Sequence, residues 1–275
     1  MAEASANSLG GKRIVITRSA AQSAAIARKL SARGAIPVVL PLVSFAEPED
    51  FAPLDAAIAQ IDQFDWVIFT SAQAVRAVVK RAEEMKNPLI RTGVKFQIAA
   101  VGPVSAEAVG QAGLSIEYVA ETHTGAALAE EMGKRLSGTN VFLPRSDRAN
   151  TDLPLILKRQ GARVSEVVAY RTLRPTEIDQ RNLRQVAGGD ADAVLFFSPS
   201  AVHYFVSLFG DEQLRKLQDK LCITAVGPVT ASALREAGVT RVVIAGETTA
   251  AAVIEALELH FAGAVKHAPA GAKRA

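Results

Sequence analysis

Only one cysteine, Cys222, occurs in 275 residues. An internal disulfide is therefore impossible, and the apolar run Leu221–Val226 around Cys222 predicts a core thiol rather than a nucleophile. Nothing approaches the roughly 20 consecutive apolar residues that a membrane span requires. Met1–Gly11 has neither a basic start nor an apolar centre, so it is not a secretory signal and reads as a disordered leader. With the cysteine usage, this points to a reducing, cytoplasmic setting. Cofactor signatures are also missing. No Gly-x-Gly-x-x-Gly follows the first strand, and there is no Walker loop and no Gly-x-Ser-x-Gly elbow. The histidines (His123, His203, His260, His267) have no cysteine or acidic partners at metal spacing. These absences count against a dehydrogenase, a nucleotide hydrolase, an α/β-hydrolase and a zinc enzyme; no cofactor is expected. Basic charge is scarce as well. The net charge is +3, and Lys266, Lys273 and Arg274 in the tail Ala264–Ala275 account for it. The remainder is neutral, without a basic, aromatic-interleaved stripe for nucleic acid, and the tail reads as a solvated end.

What is present is a repeat. Asp65–Ser71 recurs as Asp192–Ser198, 127 residues on. Ala100-Val-Gly-Pro-Val-Ser105-Ala recurs as Ala225-Val-Gly-Pro-Val-Thr230-Ala. Ile14–Ser19 with Leu30 and Gly34 recurs as Val141–Ser146 with Leu157 and Gly161. A near-constant offset over Arg13–Glu131 and Asn140–Glu258 means two similar units, too few for a solenoid, and two like domains usually form a cleft. A hydrophobic content of 49% with 21% charged residues suits two soluble cores.

Short apolar runs alternate with amphipathic stretches. Strands are expected at Arg13–Thr17, Ile36–Leu40, Trp66–Thr70, Gln97–Val101, Ile116–Tyr118, Asn140–Leu143, Arg163–Ala169, Ala193–Phe197, Leu221–Val226 and Val239–Ile244. Most are continuously apolar, as in strands covered on both faces. Helices are expected after Ser19 (capped, with Gln22 three residues on) and over Ala72–Glu84, Val104–Ala112, Gly125–Leu136, Asp152–Gln160, Ala201–Phe209, Val229–Ala237 and Ala250–His260. This alternation predicts doubly wound parallel sheets. Pro41–Pro53 and Tyr170–Glu177 read as linkers, so the chain is expected to cross between domains twice.

The candidate chemistry lies at strand ends. Ser71 and Ser198 end a strand and begin a helix. Ser105 and Thr230 fall in the first turn after Gly-Pro, and Thr124 and Thr249 form a further pair. Capping alone explains each. As a set, converging helix N-termini would suit an anion, because they present unpaired N–H groups at the carboxyl ends of parallel strands. Arg18 and Arg145 occupy matching strand ends, with Arg148 a turn later; a guanidinium can grip a carboxylate through two hydrogen bonds, or form a surface ion pair. Tyr170 ends a strand at the second linker. A strand tyrosine is ordinarily a packed residue with its hydroxyl outward.

In order and spacing these blocks resemble the uroporphyrinogen-III synthase family, from about Arg13 to Ala262. The resemblance rests on Thr17-Arg18, Phe69-Thr-Ser71, Phe197-Ser-Pro-Ser200, the paired Val-Gly-Pro-x-Ser/Thr-Ala blocks and Tyr170-Arg-Thr172. It implies two flavodoxin-like α/β domains joined by a two-strand linker, with a cleft between them. Domain 1 would comprise residues 1–40 and 173–263 and domain 2 residues 41–172, followed by a flexible tail, 264–275. It implies a cofactor-free, monomeric lyase of tetrapyrrole biosynthesis. Its substrate would be hydroxymethylbilane, a linear tetrapyrrole with eight carboxylates, cyclised to uroporphyrinogen III with loss of water and inversion of ring D. Loss of hydroxide would give an azafulvene cation, and attack by the substituted carbon of ring D, through a spiro intermediate, would replace the closure that gives isomer I. Tyr170 is then the expected acid, and Arg18, Ser71, Ser105, Arg145, Ser198, Ser200 and Thr230 the expected substrate contacts. The chain departs from the family in Ser105 for threonine, Phe197 for threonine, and Pro144 opposite Thr17. Two other classes share a two-lobe α/β plan: a non-catalytic small-anion binder and a two-domain glycosyltransferase.

Overall fold

The computed structural model describes residues 7–90, 95–247 and 249–263. Its strands are β1 (Arg13–Ile16), β2 (Ile36–Val39), β3 (Ser44–Ala46), β4 (Trp66–Phe69), β5 (Gln97–Ala100), β6 (Tyr118–Val119), β7 (Asn140–Ser146), β8 (Arg163–Leu173), β9 (Ala193–Phe196), β10 (Cys222–Val226) and β11 (Val242–Ala245). The helices are α1 (Ala20–Ser31), α2 (Ala52–Ala59), α3 (Ala72–Glu84), α4 (Pro103–Gln111), α5 (Gly125–Met132), α6 (Asp152–Arg159), α7 (Gln180–Gly188), α8 (Pro199–Phe209), α9 (Asp211–Leu217), α10 (Pro228–Glu236) and α11 (Ala250–Phe261). The chain divides into two compact units. Unit 1 takes the described residues up to Ser44 and from Leu173 on, and unit 2 takes Phe45–Thr172.

Unit 1 holds a sheet in the order β11-β10-β9-β1-β2, all parallel. Unit 2 holds β3-β8-β7-β4-β5-β6, parallel from β8 to β6. The two orders coincide once β3 is set aside: β1 and β2 match β7 and β8, and β9, β10 and β11 match β4, β5 and β6. Each sheet is therefore composed of the first two strands of one repeat and the last three of the other. An aspartate ties the halves together in both. Asp65, before β4, accepts from Asn140 N–H at 2.7 Å, and Asp192, before β9, accepts from Arg13 N–H at 2.9 Å. Each carboxylate thus satisfies the first donor of a strand that belongs to the other repeat. Lys12 adds an ion pair to Asp192 at 2.8 Å.

The continuous apolar runs explain burial on both faces. In unit 2, Val67, Phe69, Phe142 and Val167 pack under α2, α3 and α4, while Ile68, Val141 and Leu143 pack under α5 and α6. In unit 1, Ile14, Ile16, Leu195 and Val243 pack under α1 and α11. Cys222 is buried within that core, where burial pushes its thiol up to about 11 and leaves it a weak nucleophile.

Four sequence expectations need correction. Leu9, placed in a disordered leader, is fully buried in the core of unit 1 and its N–H donates to Arg33 O at 3.0 Å. The tail 264–275 lies outside the described residues. Pro41–Pro53 contains the short strand β3 and the first residues of α2, whose start is compatible with Pro53 in its first turn. The strand before Tyr170 does not stop at Ala169; β8 runs to Leu173. Finally, α7 was not anticipated, because only Val186 of its nine residues is buried and its apolar signal is weak.

Candidate functional site

The capping hydroxyls occupy the predicted helix starts. Ser71 Oγ accepts from Ala74 N–H at 3.1 Å and Ser198 Oγ from Ala201 N–H at 3.3 Å. Thr124 and Thr249 cap α5 and α11 in the same way. Ser105 and Thr230 sit on the inner faces of α4 and α10, 6% and 3% exposed, so their hydroxyls are turned into the protein. In unit 1, Ser200 lies in the first turn of α8, and the Arg18 guanidinium lies over the Phe197 ring, 4.6 Å from its centroid. Such a cation–π contact holds the guanidinium beside the ring.

Unit 2 adds a cluster without a counterpart in unit 1. Register between β7 and β8 shifts by one residue: Arg145 faces Val168, but Ser146 faces Tyr170. Ala169 is the extra residue of a β-bulge, and the burial phase of β8 slips there, with Ala169 and Tyr170 both buried. Bulges re-aim side chains in this way beside functional sites. Here the bulge turns Tyr170 towards α3, where its hydroxyl lies 3.1 Å from Ser71 Oγ; either group can donate. Phe45 meets the Tyr170 ring edge-on at 5.5 Å and 79°. Burial is the main reason the Tyr170 phenol is held above its ordinary pKa. The nearby Asp147 carboxylate adds to the rise, while the hydroxyls of Ser71 and Ser146 and the charge of Arg145 oppose it. The phenol is accordingly protonated at neutral pH.

A cavity of about 480 Å³ opens beside this tyrosine, wholly within unit 2. Phe45, Phe51 and Tyr170 form its apolar wall, and Gln73, Arg76 and Lys80 project from α3. Lys80 is paired with Glu47 at 2.7 Å, whereas Arg76 is an exposed guanidinium one turn along α3 from Gln73. An aromatic wall next to guanidinium and amide donors suits a ring that carries carboxylates. Gln73 and Arg76 were not singled out from sequence; with hindsight, their spacing of three after the capping Ser71 was the available signal.

Arg145 is where expectation and structure part. It is not at an exposed strand end but inside β7, with its side chain 4% exposed. It shares its strand face with Val141 and Leu143. Its guanidinium bonds Asn150 O and stands 3.0 Å from Glu166 Oε1, while Nε has no hydrogen-bond partner. Burial lowers its pKa and Glu166 counters this. The reason is the two-sided cover of β7: a side chain in that phase points under the loop before α6. Arg148 stays exposed, but its Nε donates to Thr172 O at 3.0 Å.

Among the described residues, no three His, Cys, Asp or Glu side chains gather closely enough to hold a metal ion, and no helix is long and apolar enough to cross a membrane.

Two parallel α/β units made from one repeat with exchanged halves, each with hydroxyl-capped helices at its strand ends, define a two-domain α/β protein. Residues 24–255 match the model of the family described as uroporphyrinogen-III synthase HemD. A uroporphyrinogen-III synthase of Synechococcus elongatus is 30% identical over 231 residues, 82% of this chain and 86% of the relative. One of Chlorobaculum parvum is 24% identical, covering 90% of this chain and all of the relative. In fold, the chain is similar to a mutant uroporphyrinogen III synthase of Thermus thermophilus (TM-score 0.62, 23% identity, 90% of this chain and 99% of that one). The Helicobacter pylori uroporphyrinogen-III synthetase is also similar (TM-score 0.55, 18% identity, 91% and 99%). The chain belongs to the uroporphyrinogen-III synthase family.

Proposed function

We propose that this protein is a uroporphyrinogen-III synthase that cyclises hydroxymethylbilane with loss of water and inversion of ring D, and that Tyr170 protonates the departing hydroxyl. The observation that carries the role of Tyr170 is its buried phenol, held at 3.1 Å by the cap of α3 beside a cavity with guanidinium and amide donors. The reaction calls for no cofactor, because the substrate carries its own leaving group next to an electron-rich pyrrole. The C–O bond of the hydroxymethyl group breaks as the Tyr170 proton reaches the leaving oxygen, and water and an azafulvene cation result. The substituted carbon of ring D then attacks, and the spiro intermediate rearranges and recloses. The proton released when the last pyrrole regains aromaticity returns to the phenolate, so water is the sole loss.

Choosing the substituted carbon of ring D over the free one is a matter of orientation. Carboxylate anchoring supplies it. Arg76 and Gln73 anchor from unit 2. On unit 1, Arg18, Ser198, Ser200 and the start of α10 at Thr230 form a separate set of carboxylate contacts, as Ser71 and the start of α4 at Ser105 do on unit 2. The partner is thus a linear tetrapyrrole polycarboxylate. The test is direct: purified protein receives fresh hydroxymethylbilane, and the products are oxidised and resolved into isomers. Isomer III in excess supports the reading; isomer I alone, at the rate of the spontaneous closure, refutes it.

A further inference from the structure

Offset by 127 residues, the start of α1 in unit 1 corresponds to Asp147 in unit 2. There the helical turn is unwound. Helix α1 begins at Ala20, directly after the capping Ser19, whereas the matching α6 begins only at Asp152. The freed residues 146–148 grip the end of β8. Asp147 N–H donates to Tyr170 O at 3.2 Å. Ser146 Oγ lies 2.7 Å from Thr172 Oγ1. Thr172 N–H donates to Asp147 Oδ1 at 2.8 Å, and Arg148 Nε donates to Thr172 O at 3.0 Å. Ser146 Oγ also donates to Asp147 Oδ1 at 3.0 Å.

The Asp147 carboxylate stands where the β7 ladder has run out. It takes the Thr172 N–H that a further β7 carbonyl would otherwise have accepted, and Thr172 is only 5% exposed, so the bond is made in a buried position. The gripped segment is the one displaced by the bulge at Ala169 and the last of unit 2 before the chain leaves it. At the equivalent positions the first repeat has Ala20 for Asp147, Val43 for Tyr170 and Phe45 for Thr172. The carboxylate and the phenol occur together in one unit and are absent together from the other.

We propose that Asp147 is a positioning residue for the reaction: through the Ser146–Arg148 clasp it fixes the backbone of Tyr170–Thr172 and so sets where the Tyr170 hydroxyl stands. This rests on the reading of Tyr170 as the acid. The clasp acts through geometry, so an amide in place of the carboxylate keeps the acceptor for Thr172 N–H and Ser146 O–H, and a methyl group does not. A charge effect accompanies it. Around the phenol stand Asp147 and Arg145, and the cavity wall adds Arg76, Lys80, Arg81, Glu47 and Glu84. Of these, Asp147 is the one whose charge raises the phenol pKa directly.

The experiment compares wild type, Asp147→Ala and Asp147→Asn in isomer-resolved steady-state kinetics, with Tyr170 titrated by NMR of tyrosine labelled at the ring carbon bearing oxygen; Tyr170→Phe identifies its signal among the three tyrosines. Asp147→Ala should lower kcat about 10- to 100-fold with KM little changed, as expected for a displaced reacting group, and shift the product towards isomer I. Asp147→Asn should recover most of kcat while the Tyr170 midpoint falls. If Asp147→Ala does not fold, Asp147→Asn decides: the amide keeps the acceptor for Thr172 N–H, so a kcat far below wild type with folding intact overturns the proposal, and a kcat near wild type with the Tyr170 signal in its wild-type position supports it. Wild-type kcat in folded Asp147→Ala, or Asp147→Asn as impaired as Asp147→Ala, also overturns it. If wild type itself yields only isomer I, the functional reading fails, while the Tyr170 signal still reports on the clasp.

Discussion

In unit 1 the backbone leaves β1 and enters α1 within a few residues, and Ser19 spends its hydroxyl on capping that helix at Gln22 N–H. In unit 2 the same repeat position continues as strand to Ser146, unwinds through 147–151, and uses its polar groups to hold β8. Sheet order, strand-end serines, Gly-Pro helix starts and the aspartates before β4 and β9 are common to both. The arginines match in sequence but diverge in use: Arg18 lies over Phe197 near the surface, and Arg145 is buried beneath the loop it supports. The lesson is that duplication supplied the scaffold twice, whereas the loss of one helical turn, together with one aspartate and one tyrosine, made a single polar cluster. Hydroxyl-capped helix starts are shared between the units; the buried phenol is not.

The sharpest way to break that comparison is to treat the two arginines alike. Arg145→Ala should destabilise the protein by about 1.5–3 kcal/mol, the range for hydrogen bonds to charged groups, since Asn150 O and the loop lose their support. Arg18→Ala should leave the denaturation midpoint nearly unchanged and raise KM more than it lowers kcat. Equal effects on stability would remove the distinction. Next come the aspartates that join the exchanged halves. Asp65→Ala and Asp192→Ala should each cost about 1–3 kcal/mol, because a strand-starting N–H loses its acceptor. For Asp192, desolvation works against the charged form, but Lys12 and the Arg13 N–H outweigh it and its pKa falls below the ordinary value. A depressed folded-state pKa gives stability that is complete above the unfolded value, near 4, and lost as pH falls through the folded one. Denaturant titrations from pH 7 to pH 3 should therefore show a shallower acid loss in Asp192→Asn than in wild type; parallel curves would contradict this.

The smallest effects separate the two caps. Ser71→Ala and Ser198→Ala should each lose about 1 kcal/mol from a missing N-cap. Both should raise KM as lost carboxylate contacts, and only Ser71→Ala should also lower kcat, since only Ser71 holds a phenol. Equal kcat in the two variants would mean that Ser71 does not act through the phenol.

Much of this was legible in the residues. Continuous apolar runs located ten of the strands, because strands covered on both faces carry a dense signal. The repeat exposed the matching serines and arginines, and the order of the blocks gave the family. The rest failed for physical reasons. Strand β3 is three residues long and lies among prolines. Helices α2, α7 and α9 are short, and α7 buries little. The bulge at Ala169 is a one-residue change of register, invisible to periodicity in a strand that alternates on either side of it. Arg145 was misplaced because a charged residue at a strand end suggests solvent, whereas the strand continues and the loop folds over it. Asp147 had one sequence signal, its contrast with Ala20 at the same repeat position.

Tyr170, in unit 2, is the proposed acid of the reaction. The measurement that tests it most directly is isomer-resolved turnover of hydroxymethylbilane by wild type and Tyr170→Phe under identical conditions. Phenylalanine keeps the ring against Phe45 and removes only the proton donor. Wild type should give isomer III, and the variant a turnover lower by about 10²–10⁴, the usual contribution of a general acid, with isomer I from spontaneous closure taking over. Isomer III formed by Tyr170→Phe at the wild-type rate would contradict it.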